Sequence, residues 1–239
     1  MKDSGYFTMT DGTDIFYRRM GAGEPVLFLH GNGGSSRFFK NQVPSFEPYF
    51  QLIFLDSRAH GRSTNGGEVL NFRLMAKDTK EALDALGIEK TSIVGFSDGA
   101  NLAMAFASLY PHAVNKLVLN SGNLSFGGTK LSGRITSYLQ YAGAYALNAL
   151  SQRFKDVHLK AKLLVKDPDI SEDDLRRLRC PSLVIVGARD VVETAHSKYI
   201  ASLIPHCRYV EVPDHGHRLA RTNAKAFNEI VINFLKGAS

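Results

Sequence analysis

Gly95-Phe96-Ser97-Asp98-Gly99 stands between an apolar run, Ser92-Ile93-Val94, and an alanine- and leucine-rich run over 98–109. A G-x-S-x-G pentapeptide in that setting, strand before and helix after, puts a serine hydroxyl on a sharp, strained turn above a sheet edge. Strand and helix nearly touch at such a turn, so the positions two residues either side must be very small. Gly95 and Gly99, followed by Ala100, meet that demand. Five residues alone would also fit a glycine-rich turn with an incidental serine. The strand-to-helix context makes Ser97 a nucleophile candidate.

Outward from this turn the chain alternates between two patterns. Val26–Leu29, Leu52–Leu55, Ser92–Val94, Lys116–Leu119, Leu183–Val186 and Tyr209–Val212 are short, mostly continuous apolar runs. Such runs suit parallel strands covered on both faces. Helical spacing marks 69–86, 98–109, 194–203 and 219–235, and Tyr110-Pro111 ends the second of these. Two strand-like runs, 6–10 and 14–18, flank Asp11-Gly12, a tight-turn dipeptide, and predict a hairpin at one edge. The pattern is that of a doubly wound α/β sheet of about eight mostly parallel strands with helices on both faces.

Residues 122–179 break the alternation, being far longer than one crossover requires. Ile135, Leu139, Ala142, Ala146 and Ala149 recur there at helical spacing, and Leu175 and Leu178 suggest a short helix before Cys180-Pro181. The expected organisation is a core over 1–121 and 170–239 with a small helical cap inserted over 122–169.

Composition is that of a soluble globular chain: 239 residues, 44% apolar and 22% charged. The surplus behind the net charge of +6 sits between Lys130 and Lys166, where Lys130, Arg134, Arg153, Lys155, Lys160, Lys162 and Lys166 stand with a single acid, Asp156. So dispersed a surplus reads as a solvated face, and neither a nucleic-acid nor a membrane partner is expected. Cys180 and Cys207 form no metal-type spacing and no disulfide framework. With no apolar leader over 1–11 and no membrane-length run, a cytoplasmic setting is expected.

A serine hydroxyl needs a base at neutral pH. Val212-Pro213-Asp214-His215-Gly216-His217 offers two histidines after the last apolar run. A base of this type needs an acid to fix its tautomer. Asp190 follows the run Leu183–Val186, either as that acid or as a cap for the next helix. After Leu119 the chain reads Asn120-Ser121-Gly122-Asn123, with no carboxylate to compete. An oxyanion needs donors. His30-Gly31-Asn32-Gly33-Gly34 places the Asn32 backbone N–H after one strand, and Asp98 supplies a second N–H at a helix start. The loop lacks the Gly-Lys-Ser/Thr ending of a phosphate-binding P-loop. Asp56 to Ser63 reads as a tight structural loop, with Asp56 and Arg58 free to pair and His60 outside the chemistry.

His30-Gly31, the Asp56 to Ser63 loop, Gly95 to Gly99, Gly187 to Asp190 and Gly216-His217 together resemble the α/β-hydrolase superfamily in order and over nearly the whole chain. Gly-Phe-Ser-Asp-Gly is similar to the small esterases and lactonases related to biphenyl-hydrolase-like proteins. Ala59 departs from the glycine usual in its loop. The resemblance implies an α/β-hydrolase fold and the chain order Ser97, Asp190, His217. It favours His217 over His215 as base, because Gly-His leading into the last helix is the family's arrangement.

It also implies hydrolysis of a small ester or lactone through an acyl-enzyme, with no metal or organic cofactor. Carbon–carbon bond hydrolysis and a low-turnover receptor remain alternatives, and a homo-oligomer is open. Tyr138, Tyr141 and Tyr145 are candidate lining residues of the cap, or else its core. Asp98 is either a first-turn helix acid or a partner for a substrate cation.

Overall fold

The computed structural model describes residues 2–237. The strands are β1 (Lys2–Thr8), β2 (Asp14–Gly21), β3 (Glu24–Leu29), β4 (Phe50–Leu55), β5 (Thr91–Phe96), β6 (Val114–Asn120), β7 (Ser182–Arg189) and β8 (Cys207–Gly216). The α-helices are α1 (Val43–Phe46), α2 (Phe72–Ala85), α3 (Asp98–Leu109), α4 (Leu131–Leu150), α5 (Lys155–Leu163), α6 (Glu172–Arg176), α7 (Thr194–Leu203), α8 (Leu219–Thr222) and α9 (Ala224–Lys236).

All eight strands form one sheet in the order β1-β2-β4-β3-β5-β6-β7-β8. β3 to β8 run parallel, and β1 and β2 form the antiparallel hairpin at the edge. The hairpin turns over Met9–Thr13, with Gly12 at φ 78°. Alternate strand residues feed two cores. Leu27, Leu29, Ile53, Ile93, Leu117 and Val184 pack under α2, α3 and α7. Val26, Phe28, Phe54, Val94, Val118 and Ile185 pack under α1 and α9. Phe28 is fully buried among Phe39, Phe46 and Phe54, so its truncation to alanine would cost about 3–5 kcal/mol.

Several boundaries differ from the sequence reading, and the first strand runs over Lys2–Thr8 rather than 6–10. α2 starts at Phe72, not 69, because the Asn71 side chain accepts the Leu74 N–H and caps it there. The last helical stretch divides at Asn223, whose non-helical backbone (φ −138°, ψ 63°) ends α8 while its side chain caps α9 through the Ala226 N–H. Leu178 falls just beyond α6, though it is buried beside Leu175.

Between β6 and β7 lie α4, α5 and α6. Ala144 is the one residue of α4 that is buried. The start of α4 is tied down by an isolated bridge of Thr129 to Val192 and by the Lys130 N–H donating to the Val191 carbonyl. No helix among the described residues is long and apolar enough to cross a membrane.

Candidate active site

Ser97 joins β5 to α3 at φ 55° and ψ −122°, a conformation that costs roughly 1–3 kcal/mol for a residue with a side chain. The glycines around it are demanded by contact. A methyl on Gly95 would overlap the Gly99 carbonyl oxygen and stand 2.7 Å from Ala100 Cα. A methyl on Gly99 would run into the carbonyls of Leu29 and His30. Strand β3 and the first turn of α3 thus press together, and the hydroxyl is held beyond the carboxyl ends of the parallel strands.

The His217 Nε2 lies 3.0 Å from the Ser97 Oγ, and its Nδ1 lies 2.8 Å from the Asp190 Oδ1. An ionised carboxylate only accepts, so Nδ1 carries the proton and Nε2 is left to accept from the serine. Asp190 is 3% exposed. Burial alone would raise its pKa. Hydrogen bonds from His217, Ser121 and the Val192 N–H outweigh burial and hold it below the usual carboxylate range. Its side chain does not cap α7, whose N-cap is Glu193. His215 lies within β8, and its Nε2 meets the Asn223 amide at 2.8 Å, away from Ser97.

Neither the Asn32 nor the Asp98 backbone N–H has an acceptor among the described residues. The loop that presents Asn32 is set by His30. Its Nε2 accepts from the Ser57 N–H at 3.1 Å, so Nδ1 carries a hydrogen and donates to the Gly31 carbonyl at 2.8 Å. The Asn32 side chain donates to the Asp98 carboxylate at 2.8 Å. Burial raises the Asp98 pKa against that hydrogen bond and the nearby His217.

Two cavities meet at Ser97, sharing Ser97, Gln140, Leu164 and His217. One, of about 370 Å³, is lined by polar groups including Asp98, Ser121, Asn123, Thr136 and Ser137. The other, of about 750 Å³, is more apolar, with Phe96, Leu139, Ala144, Leu147 and Val157. Among the described residues no group of three or more histidine, cysteine or carboxylate side chains is placed to hold a metal ion.

Two expectations need correction. Tyr138, Tyr141 and Tyr145 line neither cavity. The stripe of α4 that does so is centred on Thr136, Gln140, Gly143 and Leu147, and the tyrosines fall about 150° around the helix from it. Tyr138 stands edge-on to Phe126, and Tyr141 and Tyr145 flank His158 of α5. Asp56 and Arg58 do not pair. The Asp56 oxygens are engaged by the Ser36 and Arg62 N–H groups, while the buried Arg58 reaches Asp78 and Asp11. That ion pair holds the Asp11 carboxyl at about 2.

Ser121 escaped the sequence reading. It stands directly after β6 at φ 61° and donates to Asp190 at 2.5 Å. A polar residue at the carboxyl end of a central parallel strand was the available signal.

A family model described as the alpha/beta hydrolase fold matches residues 24–159, more than half of the chain. The chain is similar to a 2-hydroxy-6-oxononadienedioate/2-hydroxy-6-oxononatrienedioate hydrolase of Burkholderia vietnamiensis, 29% identical over 90% of this chain and 74% of that protein. It is similar also to the human serine hydrolase BPHL, 27% identical over 95% of this chain and 84% of that protein. Among solved structures, a thermophilic esterase from Thermogutta terrifontis superposes with a TM-score of 0.82 at 23% identity, over 100% of this chain and 99% of that one. The chain is an enzyme of the hydrolase class, and it belongs to the alpha/beta hydrolase fold family.

Proposed function

We propose that the protein cleaves a small carboxylic ester or lactone through an acyl-enzyme on Ser97. The carrying observation is the pair of contacts at His217, 3.0 Å to the Ser97 Oγ and 2.8 Å to the Asp190 Oδ1. His217 takes the serine proton as Oγ attacks the carbonyl carbon. The charge that develops on the carbonyl oxygen is met by the N–H groups of Asn32 and Asp98, each worth about 3 kcal/mol in sites of this kind. His217 then returns the proton to the departing alkoxide, which in a lactone stays tethered to the acyl group. A water deprotonated by the same nitrogen releases the acid and frees Ser97. Asp190 stabilises the imidazolium formed in each half-reaction.

The two cavities that meet at Ser97 suit the two sides of an ester bond. Two unpaired, half-buried cysteines, Cys180 and Cys207, fit a reducing, cytoplasmic setting.

The test is hydrolysis of short p-nitrophenyl esters and simple lactones, together with labelling by a fluorophosphonate. Wild type is labelled at Ser97 and turns substrate over, while Ser97→Ala and His217→Ala lose about 10³-fold or more and stay folded. Activity of Ser97→Ala within tenfold of wild type, with no label at that position, removes Ser97 from the mechanism.

A further inference from the structure

A third cavity, of about 240 Å³, shares no lining residue with the two at Ser97. Three arginines meet around it: Arg18 from β2, Arg37 from the 3-10 turn Ser36–Phe39, and Arg62 from the loop after β4. The Arg18 guanidinium lies 4.9 Å over the Phe54 ring, and that of Arg62 lies 4.7 Å over the Phe16 ring. These aromatic faces hold the two planes in place.

None of the three arginines takes part in an ion pair among the described residues. The Nε and Nη2 atoms of Arg18 are buried and have no acceptor. That is the same edge with which Arg58 grips both oxygens of Asp78 and Arg19 grips both oxygens of Asp3. On Arg18 the edge is empty. Asp56 is the one carboxylate in the lining, and its oxygens accept from the Ser36 N–H at 2.7 Å and the Arg62 N–H at 2.9 Å. Burial lowers the Arg18 pKa, Asp56 partly restores it, and Arg62 and Arg37 lower it again.

Buried guanidinium donors without acceptors, with like charges beside them, are costly unless an anion joins them. Three guanidiniums against one carboxylate leave a surplus of two charges, which matches a dianion. A carboxylate has two oxygens for three guanidiniums, whereas a tetrahedral oxyanion has at least one for each. We propose that this cavity binds a phosphate-sized oxyanion, free or carried as a phosphomonoester, between Arg18, Arg37 and Arg62.

The experiment is calorimetric titration of the full chain with inorganic phosphate and, separately, with glycerol 3-phosphate, at an ionic strength held constant with chloride. Saturable one-to-one binding is expected for at least one titrant. Arg37→Gln and Arg62→Gln should each weaken it tenfold or more. Both side chains are exposed, so these variants keep the fold even if Arg18→Met does not. Tighter binding of glycerol 3-phosphate identifies an esterified ligand, and tighter binding of phosphate identifies the free ion. Absence of saturable binding by either titrant, or binding unchanged in both exposed variants, overturns the proposal.

Discussion

The side-chain amide of Asn32 donates to the Asp98 carboxylate at 2.8 Å and to the Lys160 carbonyl of α5 at 2.9 Å. Both partners are acceptors, so the amide nitrogen is fully used and the orientation of the group follows from its neighbours. One side chain thus ties together the loop after β3, the start of α3 and α5. The backbone N–H groups assigned to the oxyanion belong to the same two residues, Asn32 and Asp98.

Removing the tie leaves both backbone donors in the chain but frees the loop that aims one of them. Asn32→Ala should therefore lower kcat by about 10-fold to 100-fold, less than the loss of a whole oxyanion donor, with KM changing less. Steady-state kinetics on one ester checks this. A kcat within twofold of wild type would show that His30 alone holds the loop.

Asp98 is the first residue of α3, lines the polar cavity, and carries a pKa raised by burial. Its carboxylate has hydrogen bonds from Asn32 and Asn101 but no cation in contact among the described residues. A substrate ammonium would supply one. Esters with an α-amino group should then react about tenfold or more faster, in kcat/KM, than matched esters without it, and Asp98→Asn should erase the difference. If wild type shows no preference, or Asp98→Asn keeps it, the carboxylate serves the helix N-terminus instead.

The elbow was legible because its constraint is local. Gly95, Ser97, Gly99 and the apolar runs around them sit within one strand-turn-helix, and α3 spans the same residues, 98–109, as the sequence pattern. The runs of β3 to β7 were legible for the same reason, each having a stretch buried on both faces, whereas β8 at the sheet edge exposes Glu211. What escaped was settled across the fold. Ser121 and Asp190 are 69 residues apart in the chain, and Arg58 and Asp11 are 47 apart. No spacing rule connects them. The tyrosines of α4 misled because that helix has exposed apolar residues on several sides, Ile135, Leu139, Tyr145 and Leu150 among them, so its pattern does not mark one inner face.

Glycine positions offer a contrast within one protein. Gly99→Ala forces a methyl against two backbone carbonyls and should cost about 3 kcal/mol or more, along with activity. Gly143, within α4, has open space where its Cβ would stand. Gly143→Ala should instead stabilise by about 0.5–1 kcal/mol, the usual helix-interior difference. Urea denaturation of the two variants compares them directly, and equal midpoints would refute the packing argument.

His60 is 3% exposed, and its Nδ1 sits 2.7 Å from the Arg58 carbonyl, to which it donates. Burial, with smaller contributions from His30 and from Lys160, lowers its pKa from 6.5 to about 3, against that hydrogen bond. Lys160 stands close because its Nζ donates to the Ala59 carbonyl at 2.8 Å. Burial lowers the His30 pKa too, opposed by the Gly31 carbonyl and Asp56. Below pH 6.5 the unfolded chain therefore takes up protons that the folded chain refuses. Stability is fully present above that pH and is lost as pH falls from 6.5 toward about 3, at about 1.4 kcal/mol per unit for His60 alone. His60→Asn keeps a donor for the Arg58 carbonyl but cannot titrate. The stability lost between pH 6.5 and pH 5, read from urea unfolding, should shrink by about 2 kcal/mol in this variant. An unchanged pH slope in His60→Asn would mean that His60 is protonated in the folded protein or that other groups carry the acid sensitivity.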